Sequence, residues 1–442
     1  MINIQQGREE INSNGGNILI GALLQLENWK ILEKMKTEKI KHGKISNSDI
    51  LKITTNLLAL GRNDFCSIKS FKNDLLFFKS LGVENLPSEE TLRQRLDDIA
   101  KQNHNQSLID DCNVELLSKI KDYGTIETQH SSYIPLDLDV SVMLQPNCKK
   151  EGVNWTYHNA NGYAPIFCHL GSNGYMLANE LRNGSQHSSN GAIEFVKRCF
   201  EMTKKLNLKN KQLLLRADSA HDDKDFIKML IESSSYFLVK RNPRSECKEP
   251  FLAIARRCGV KLKSREGKNV YRIILSHLNP EGLEDAPMFM VVEVTERMTD
   301  KLGNGFLFPE VTVSSWWTNL PEDEAVCIEL YHNHATSEQF HSELKSDMNL
   351  ERLPSGKFAT NALILNLASL AFNCLRIIGQ KSLEFKELSP IKLTVNRRRL
   401  RSVLQDLIHI GCKFTRHANR IIVKFGRDCP WYKTFEAIYA QC

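Results

Sequence analysis

The chain has 442 residues, of which 41% are apolar and 25% are charged, and its formal net charge is +7. This composition is typical of a globular protein with about two to four domains and excludes a disordered chain. The twelve Cys form no Cys-x-x-Cys pair, which favours reduced thiols in a cytosol over a disulfide framework or a zinc knuckle.

Residues 1–130 are predicted to form a helical domain, because apolar residues recur there at helical spacing. The first five residues lack the basic and apolar layout of a signal peptide, so we expect a cytoplasmic protein. Ser88 can cap a helix that carries Arg93, Gln94 and Arg95 on its exposed side. Two interpretations stay open for this segment, a helix that contacts DNA and an ordinary capped amphipathic helix.

Residues 131–241 change to an alternating pattern of strands and helices. The sequence predicts strands at 134–143, 163–169, 175–181, 212–218 and 236–240, and helices at 190–206 and from about 222. Three strands followed by helix, strand, helix and strand predict a mixed α/β sheet.

Residues 242–310 are rich in β-branched residues, Pro and Gly, which predicts a β-rich insertion. The main sheet is expected to resume in 311–378, with elements in the following order. We predict strands at 311–318 and 326–331, a long helix at 335–348 and a buried helix at 358–378. Three polar residues interrupt the apolar run 361–379, so we predict a core helix there and no membrane span.

Residues 379–442 contain the entire basic excess of the chain. They hold 13 Lys or Arg and 5 Asp or Glu, a net of +8, whereas the rest of the chain has a net charge of −1. At the centre of this basic region lies the run Arg397-Arg398-Arg399-Leu400-Arg401. Such a region favours a polyanion as partner, but a solvated face of Lys and Arg would have the same composition.

The strand at 134–143 carries two acids on one face. Side chains alternate along a strand, so Asp137 and Asp139 point the same way. On a sheet covered on both faces, two carboxylates require a positive partner, for which a divalent metal is suitable. The alternative is an edge strand with one solvated face.

Two further acids are predicted on separate elements. Asp218 closes its strand at the carboxyl end, where ligands bind in open α/β sheets, whereas the three acids that follow it are expected to open a helix. On the helix 335–348, Glu338 shares one face with His334 and Lys345, and with Tyr331 if the helical phase begins that early.

Together, Asp139, Asp218 and Glu338 form a candidate set of metal ligands. Hard carboxylate oxygens suit Mg²⁺ or Mn²⁺. Two such ions about 3.5–4 Å apart can hold the attacking and leaving oxygens of a phosphodiester. This chemistry acts on a nucleic-acid backbone, and the arginines at 397–401 would then supply phosphate contacts.

The residues around these acids resemble a DDE transposase of a bacterial insertion sequence. The spacing Tyr331, two residues, His334, three residues, Glu338, six residues, Lys345 resembles the signature of that superfamily, with His334 where the family has Arg. The segments 136–139 and 215–219 are similar to the branch typed by insertion sequence thirteen-eighty. The resemblance extends from about residue 134 to residue 375.

The resemblance implies an RNase H-like catalytic core with Asp139, rather than Asp137, as its first catalytic acid. It also implies binding to terminal inverted repeats, metal-dependent cleavage and transfer of the freed 3′-hydroxyl to target DNA, with a homodimer in the synaptic complex. Tyr331, His334 and Lys345 would contact the DNA backbone near the scissile phosphate. The protein would then associate with the bacterial nucleoid when bound to DNA.

Three rival functions stay open. A zinc hydrolase would use His334, Glu338 and His341 on one helix, although the chain has no His-Glu-x-x-His motif. A serine hydrolase with Ser219 and His221 lacks the Gly-x-Ser-x-Gly elbow. The main alternative is an inactive or domesticated DNA-binding relative that no longer cleaves, against which the presence of all three acids argues.

Overall fold

The fold is given by a computed structural model, which describes residues 2, 4, 10–24, 28–35, 45–102, 105–209, 211–417 and 420–441. The helices are α1 Asn17–Leu24, α2 Asn28–Leu32, α3 Asn47–Ala59, α4 Leu75–Leu81, α5 Glu89–Ala100, α6 Asn105–Ser118, α7 Ala192–Lys204, α8 Lys224–Glu232, α9 Glu249–Cys258, α10 Glu324–His332, α11 Ser337–Ser342, α12 Phe358–Glu384, α13 Leu400–Val403 and α14 Tyr432–Tyr439. Short 3₁₀ turns occupy Phe65–Phe71, Ser219–His221, Asn333–Thr336 and Lys386–Leu388, and π turns occupy Glu343–Asp347 and Leu404–Ile408.

The strands belong to one large sheet and two small ones. They are β1 Ile11–Asn12, β2 Ile126–Glu127, β3 Ser132–Val140, β4 Met143–Leu144, β5 Asn154–Trp155, β6 Asn161–Tyr163, β7 Ile166–Leu170, β8 Tyr175–Glu180, β9 Gln212–Ala217, β10 Tyr236–Lys240, β11 Val260–Leu262, β12 Lys268–Leu275, β13 Phe289–Thr299, β14 Gly305–Thr318, β15 Cys412–His417 and β16 Arg420–Phe425. The large sheet has ten strands in the order β11-β12-β13-β14-β10-β9-β3-β7-β8, with β2 beside β3. The mixed α/β architecture predicted from the sequence is therefore confirmed.

The centre of the large sheet is parallel. Strands β3, β9 and β10 run in one direction, and β7 runs antiparallel to both β3 and β8. In the register of β3 and β9, Asp137 lies opposite Arg216 and Leu138 lies opposite Ala217. Asp139 and Asp218 follow directly on these pairs, so both acids lie at the carboxyl ends of adjacent parallel strands.

The predicted insertion at 242–310 continues the large sheet. Strand β14 pairs antiparallel with β10 on one side and with β13 on the other, and Thr318 lies opposite both Leu238 and Phe289. The strand predicted at 311–318 is consequently part of a longer strand, Gly305–Thr318, that begins within the predicted insertion. Where one domain ends and the next begins stays a prediction, because the strands of both segments share one sheet.

Helix α12 is the long apolar helix predicted at 358–378. Its length and composition would allow it to cross a membrane, but almost all of its apolar stretch is buried inside the protein, which confirms the predicted core helix. Polar residues of α12 make hydrogen bonds to other buried groups. Asn373 Oδ1 accepts a hydrogen bond from the Met176 backbone N–H at 2.9 Å, and its amide nitrogen donates to Met176 O and Asn113 Oδ1, both at 2.8 Å.

One predicted strand is wrong, because residues 326–331 belong to helix α10. The apolar run in this segment fits a buried strand as well as a helix. Asp323 decides between the two, since its side chain accepts the Val326 N–H at 2.8 Å and caps the helix. Cys327, Ile328 and Leu330 then form the buried side of α10.

Helix α5 begins as predicted, but its exposed side is smaller than expected. Ser88 accepts the Thr91 N–H at 3.1 Å and caps the helix. The prediction that Arg95 is exposed is wrong, because its guanidinium is buried and donates to Ile45 O and the Asn47 side chain. The DNA-contact hypothesis for this helix stays a prediction for Arg93 and Gln94, and both of these donate to Glu90.

The basic C-terminal region packs against the N-terminal helices. Strands β15 and β16 form a hairpin, and β1 joins it through pairs such as Ile11 with Lys413. Gly16 donates its N–H to Ile408 O at 3.0 Å, and a Cβ on Gly16 would lie only 2.0 Å from Leu407 O. A side chain at this position would separate the two ends of the chain.

We predict that Asn373→Ala lowers the free energy of unfolding by about 2–4 kcal/mol, because the buried Met176 N–H loses its partner and a cavity is left. Denaturant unfolding followed by circular dichroism measures this loss. The matched control is exposed Asn85, whose replacement by Ala should change stability by less than about 0.5 kcal/mol. Equal effects of the two substitutions would contradict the role given to Asn373.

Candidate active site

Asp137 is the structural member of the first acid pair. Its side chain is fully buried, and Arg216 donates to both of its oxygens at 2.7 Å from Nε and Nη2. His334 Nδ1 lies 2.8 Å from Asp137 Oδ1, and Arg216 Nη1 donates to Leu330 O at 2.6 Å. Burial opposes ionisation, but Arg216 and His334 outweigh it and hold the pKa of Asp137 at about 2.

Asp139 lies two residues further along the same face and has much weaker compensation. Its side chain is 22% exposed, Oδ1 accepts the Val140 N–H at 2.8 Å, and His341 Nδ1 lies 3.4 Å from Oδ2. Burial, together with the charges of Asp218 and Glu338, raises the pKa of Asp139 to about 7. The structure therefore separates the two acids, with Asp137 bound on both oxygens and Asp139 open to a further positive partner.

Asp218 follows strand β9 and is the more exposed of the two strand-end acids. Its side chain is 44% exposed, and it caps a 3₁₀ turn by accepting the Ala220 N–H at 3.2 Å. Burial opposes ionisation here as well, but the His221 Nδ1 contact at 2.8 Å holds the pKa of Asp218 below its ordinary value. Asp223, the second of the three acids that follow, caps α8 as predicted.

Glu338 lies on a helical segment that is not one regular helix. A 3₁₀ turn precedes α11 and a π turn follows it, so the single helix predicted at 335–348 is divided into three parts. The segment packs along the carboxyl end of β3. His334 contacts Asp137, His341 contacts Asp139, and the Lys345 amine donates to Val142 O. Glu338 itself is exposed and close enough for its charge to raise the pKa of Asp139.

Behind Asp139 lies a pair of buried histidines that sequence reasoning did not assign to this site. The His341 and His169 rings are 5.5 Å apart, and Phe340 packs on His169 at 4.9 Å. Burial lowers the pKa of His169 to about 3 and lowers the pKa of His341 well below its ordinary value. Both rings are therefore neutral at pH 7, and His341 orients Asp139 without neutralising its charge.

Two tyrosines lie beside the acids. Tyr331, predicted as a DNA contact, is half-buried with its ring 5.5 Å from Trp316 and 5.7 Å from His334. Sequence reasoning missed Tyr157, whose hydroxyl donates to Val140 O at 3.0 Å. Burial and the charges of nearby Asp139 and Asp218 raise the pKa of Tyr157 to about 12. No spacing in the sequence indicated Tyr157, because a loop brings it to the strand end.

The predicted DNA-contacting residues are engaged within the protein. His334 is buried against Asp137, and burial lowers the pKa of Lys345. Arg397 pairs with Glu343, Arg398 with Asp406, and Arg399 and Arg401 with Asp347. Contacts of these residues with DNA stay predictions. The side chains of Arg399 and Arg401 remain 50% and 58% exposed, whereas that of Arg398 is 2% exposed.

The acids do not form a closed metal cage. In the part of the chain that the structure describes, no group of three or more His, Cys, Asp or Glu side chains is placed to hold one ion, and this finding covers both the three acids and the triplet of His334, Glu338 and His341. The donor chemistry nevertheless fits a hard cation. Asp139 contacts His341, whose buried ring is neutral at pH 7, so its carboxylate can still bind a cation, and Mg²⁺ is commonly held by one or two carboxylates, with waters and substrate phosphates as its other ligands.

Comparison with known proteins gives a family and a fold neighbour. A family model described as "Transposase DDE domain group 1" matches residues 2–442. Among solved structures, the chain is similar to a piggyBac transposase synaptic complex with hairpin DNA, at 12% identity and a TM-score of 0.40, over 88% of this chain and 77% of that chain. Among curated proteins, nothing matches.

We predict opposite stability effects for the two neighbouring acids. Asp137→Asn should lower the free energy of unfolding by about 3–5 kcal/mol, because it leaves Arg216 buried and unpaired. Asp139→Asn serves as the matched control and should cause no loss at pH 7. Chemical denaturation of both variants measures the difference. If Asp139→Asn lowered the free energy of unfolding more than Asp137→Asn, the structural role would belong to Asp139.

The raised pKa of Asp139 predicts a stability change with pH. An acid with a pKa near 7 when folded and about 3.9 when unfolded binds more protons in the folded state. Stability is therefore lost as pH rises through this interval. In EDTA, wild type and Asp139→Asn should melt alike at pH 4, and the variant should melt higher at pH 8. If the difference in melting temperature between wild type and Asp139→Asn stayed constant from pH 4 to pH 8, the pKa of Asp139 would not be raised by folding.

Proposed function

We propose, on the premise that the chain belongs to the transposase DDE domain group 1 family, that it is a DNA transposase of an insertion sequence. In this proposal it binds the terminal inverted repeats of its element, cleaves the DNA there and joins the freed 3′ ends to target DNA. The observation that carries the proposal is the placement of Asp139 and Asp218 at the ends of adjacent parallel strands, within electrostatic reach of Glu338.

The catalytic core is proposed to be RNase H-like. The strand order β8-β7-β3-β9-β10, with β7 antiparallel to β3 and with β3, β9 and β10 parallel, supports this assignment. The signature-like spacing from Tyr331 to Lys345 supports the insertion-sequence branch. In such a core the acids at the ends of the first and fourth strands in chain order, here Asp139 of β3 and Asp218 after β9, converge at one edge because these two strands are neighbours in the sheet.

The three acids Asp139, Asp218 and Glu338 would hold Mg²⁺ or Mn²⁺, with two ions in the proposal. When bound by these carboxylates, such ions would supply a Lewis acid for the hydrolysis of a phosphodiester. The protein's own part is to orient the carboxylates, and the charge of the metal would favour the ionised form of Asp139, whose pKa burial raises. Asp218 is held by His221 and by the Ala220 N–H, and Asp139 is oriented by the Val140 N–H and by His341.

Residues around the acids take positioning and binding roles. His334, which replaces the Arg of the family signature, is proposed to anchor the Glu338 segment to Asp137, because its ring is buried there. A phosphate contact would need the exposed surface that His334 lacks. Tyr331 and Lys345 are proposed to contact the DNA backbone beside the acids. A homodimer is proposed for the synaptic complex, in which two element ends are held together.

Cleavage of a duplex that carries the element's own ends, with Mg²⁺ or Mn²⁺ and with EDTA as the negative control, tests the proposal. We expect Asp139→Asn, Asp218→Asn and Glu338→Gln each to lower the cleavage rate by roughly two orders of magnitude or more. Binding to the end sequence should persist in all three variants, because the substitutions leave the basic surface unchanged.

The matched control is Asp225→Asn, which replaces an exposed acid seven residues after Asp218. This variant should cleave at the wild-type rate. Wild-type cleavage by all three acid variants would refute the assigned site. Specific binding of the ends without cleavage in either metal would instead identify the chain as a DNA-binding relative that has lost catalysis.

A further inference from the structure

The segment that carries Glu338 cannot hold its own shape. Helix α11 has six residues, and it is bounded by a 3₁₀ turn of four residues and a π turn of five. Helices this short are unstable without tertiary contacts. The direction in which Glu338 points therefore depends on what holds the segment at each end.

The first anchor on the C-terminal side is Glu343, the first residue of the π turn. Its side chain is buried and pairs with Arg376 of α12 and with Arg397, whose Nη1 lies 2.7 Å from Glu343 Oε1. Arg397 also donates to Gln339 Oε1 at 2.6 Å, and its guanidinium lies 4.7 Å from the centre of the Phe340 ring. Arg397 thus contacts the two residues that follow Glu338.

The second anchor is Asp347, the last residue of the π turn, whose side chain has no exposed surface. Arg399 binds it with Nε at 2.8 Å and Nη2 at 3.0 Å, a two-pronged contact of fixed geometry. Arg401 adds its backbone N–H at 3.1 Å and its Nε at 3.4 Å. Arg399 Nη2 also reaches Ser342 Oγ at 3.2 Å, at the end of α11.

These contacts give the arginines at 397–401 a structural role that composition alone did not indicate. A buried carboxylate is destabilising unless its charge partners stay in place, so Glu343 and Asp347 require the arginines of the basic run. In return, planar guanidinium groups bound at fixed angles determine how the segment is rotated about its axis. His334 and His341 hold the same segment from the strand side, so both ends are fixed.

We propose that Arg397, Arg399 and Arg401 are positioning residues that hold Glu338 toward Asp139 and Asp218 through Gln339, Glu343 and Asp347. This inference rests on the proposed function for its effect on catalysis. In this proposal the arginines at 397–401 align the active site. If they instead contacted DNA phosphates, their main effect would be on the affinity for DNA.

The variant Asp347→Asn separates these two roles. It removes the charge that holds Arg399 and Arg401 while leaving every arginine in place. If the arginines align Glu338, kcat for cleavage of the end duplex falls by roughly tenfold to a hundredfold, while KM and the Kd for the duplex stay within about twofold. If the arginines serve DNA binding, the released guanidinium groups keep or raise affinity and kcat is unchanged, which overturns the inference.

Asp428→Asn, which replaces an exposed acid of the same C-terminal region, is the matched control and should leave kcat and KM unchanged. Melting temperatures of both variants are measured first. Should Asp347→Asn fail to fold, Arg399→Ala, which alters a half-exposed side chain, takes its place, and Arg399→Lys should restore part of the lost kcat. Loss of affinity in Arg399→Ala with unchanged kcat would overturn the inference.

Amide hydrogen exchange gives a readout that does not depend on activity. In Asp347→Asn or Arg399→Ala, residues 337–347 should exchange faster than in wild type, while strands β3 and β9 exchange as before. Unchanged protection of 337–347 would overturn the positioning role even if cleavage fell. A wild-type protein without cleavage would refute the proposed function, and the exchange comparison alone would then decide the inference.

Discussion

The buried pair of Asp137 and Arg216 is the constraint on which the acidic site depends. It joins two parallel strands two register positions before Asp139 and Asp218. Because both partners are buried, separating them would leave an unpaired charge in the protein interior, which is strongly destabilising. The strand ends therefore remain aligned. His334 attaches to the same carboxylate, and the segment that carries the third acid is thereby linked to the pair.

Sequence periodicity predicted the parts of this arrangement that depend on local rules. The alternation around Asp139, the position of Asp218 after an apolar run and the cap at Ser88 all follow from neighbouring residues, and strands β3 and β9 and helix α5 lie where these patterns placed them. Periodicity alone could not distinguish Asp137 from Asp139, because the two acids share one alternation; only the family resemblance favoured Asp139, and the partners that bind Asp137 lie 79 and 197 residues away.

The segment at 335–348 shows a second limit of prediction from sequence. A regular helix places Glu338 and Lys345 on one face, but the turns on either side of α11 change the phase. These irregular turns are stabilised by ion pairs with a distant part of the chain, which no local pattern encodes. Net charge likewise does not reveal the pairing of Arg397, Arg399 and Arg401 with buried acids, and contact of these arginines with DNA stays a prediction.

The pairing of β1 with β15 has a consequence for biosynthesis. Strand β1 is synthesised long before Cys412–His417, so the small sheet can close only after this later strand has left the ribosome. The arginines that bind Glu343 and Asp347 also emerge late. A chain truncated between the acids and these arginines would carry Asp139, Asp218 and Glu338 without the residues that, in our proposal, align Glu338, so the proposed catalysis would require synthesis of the segment that contains the arginines.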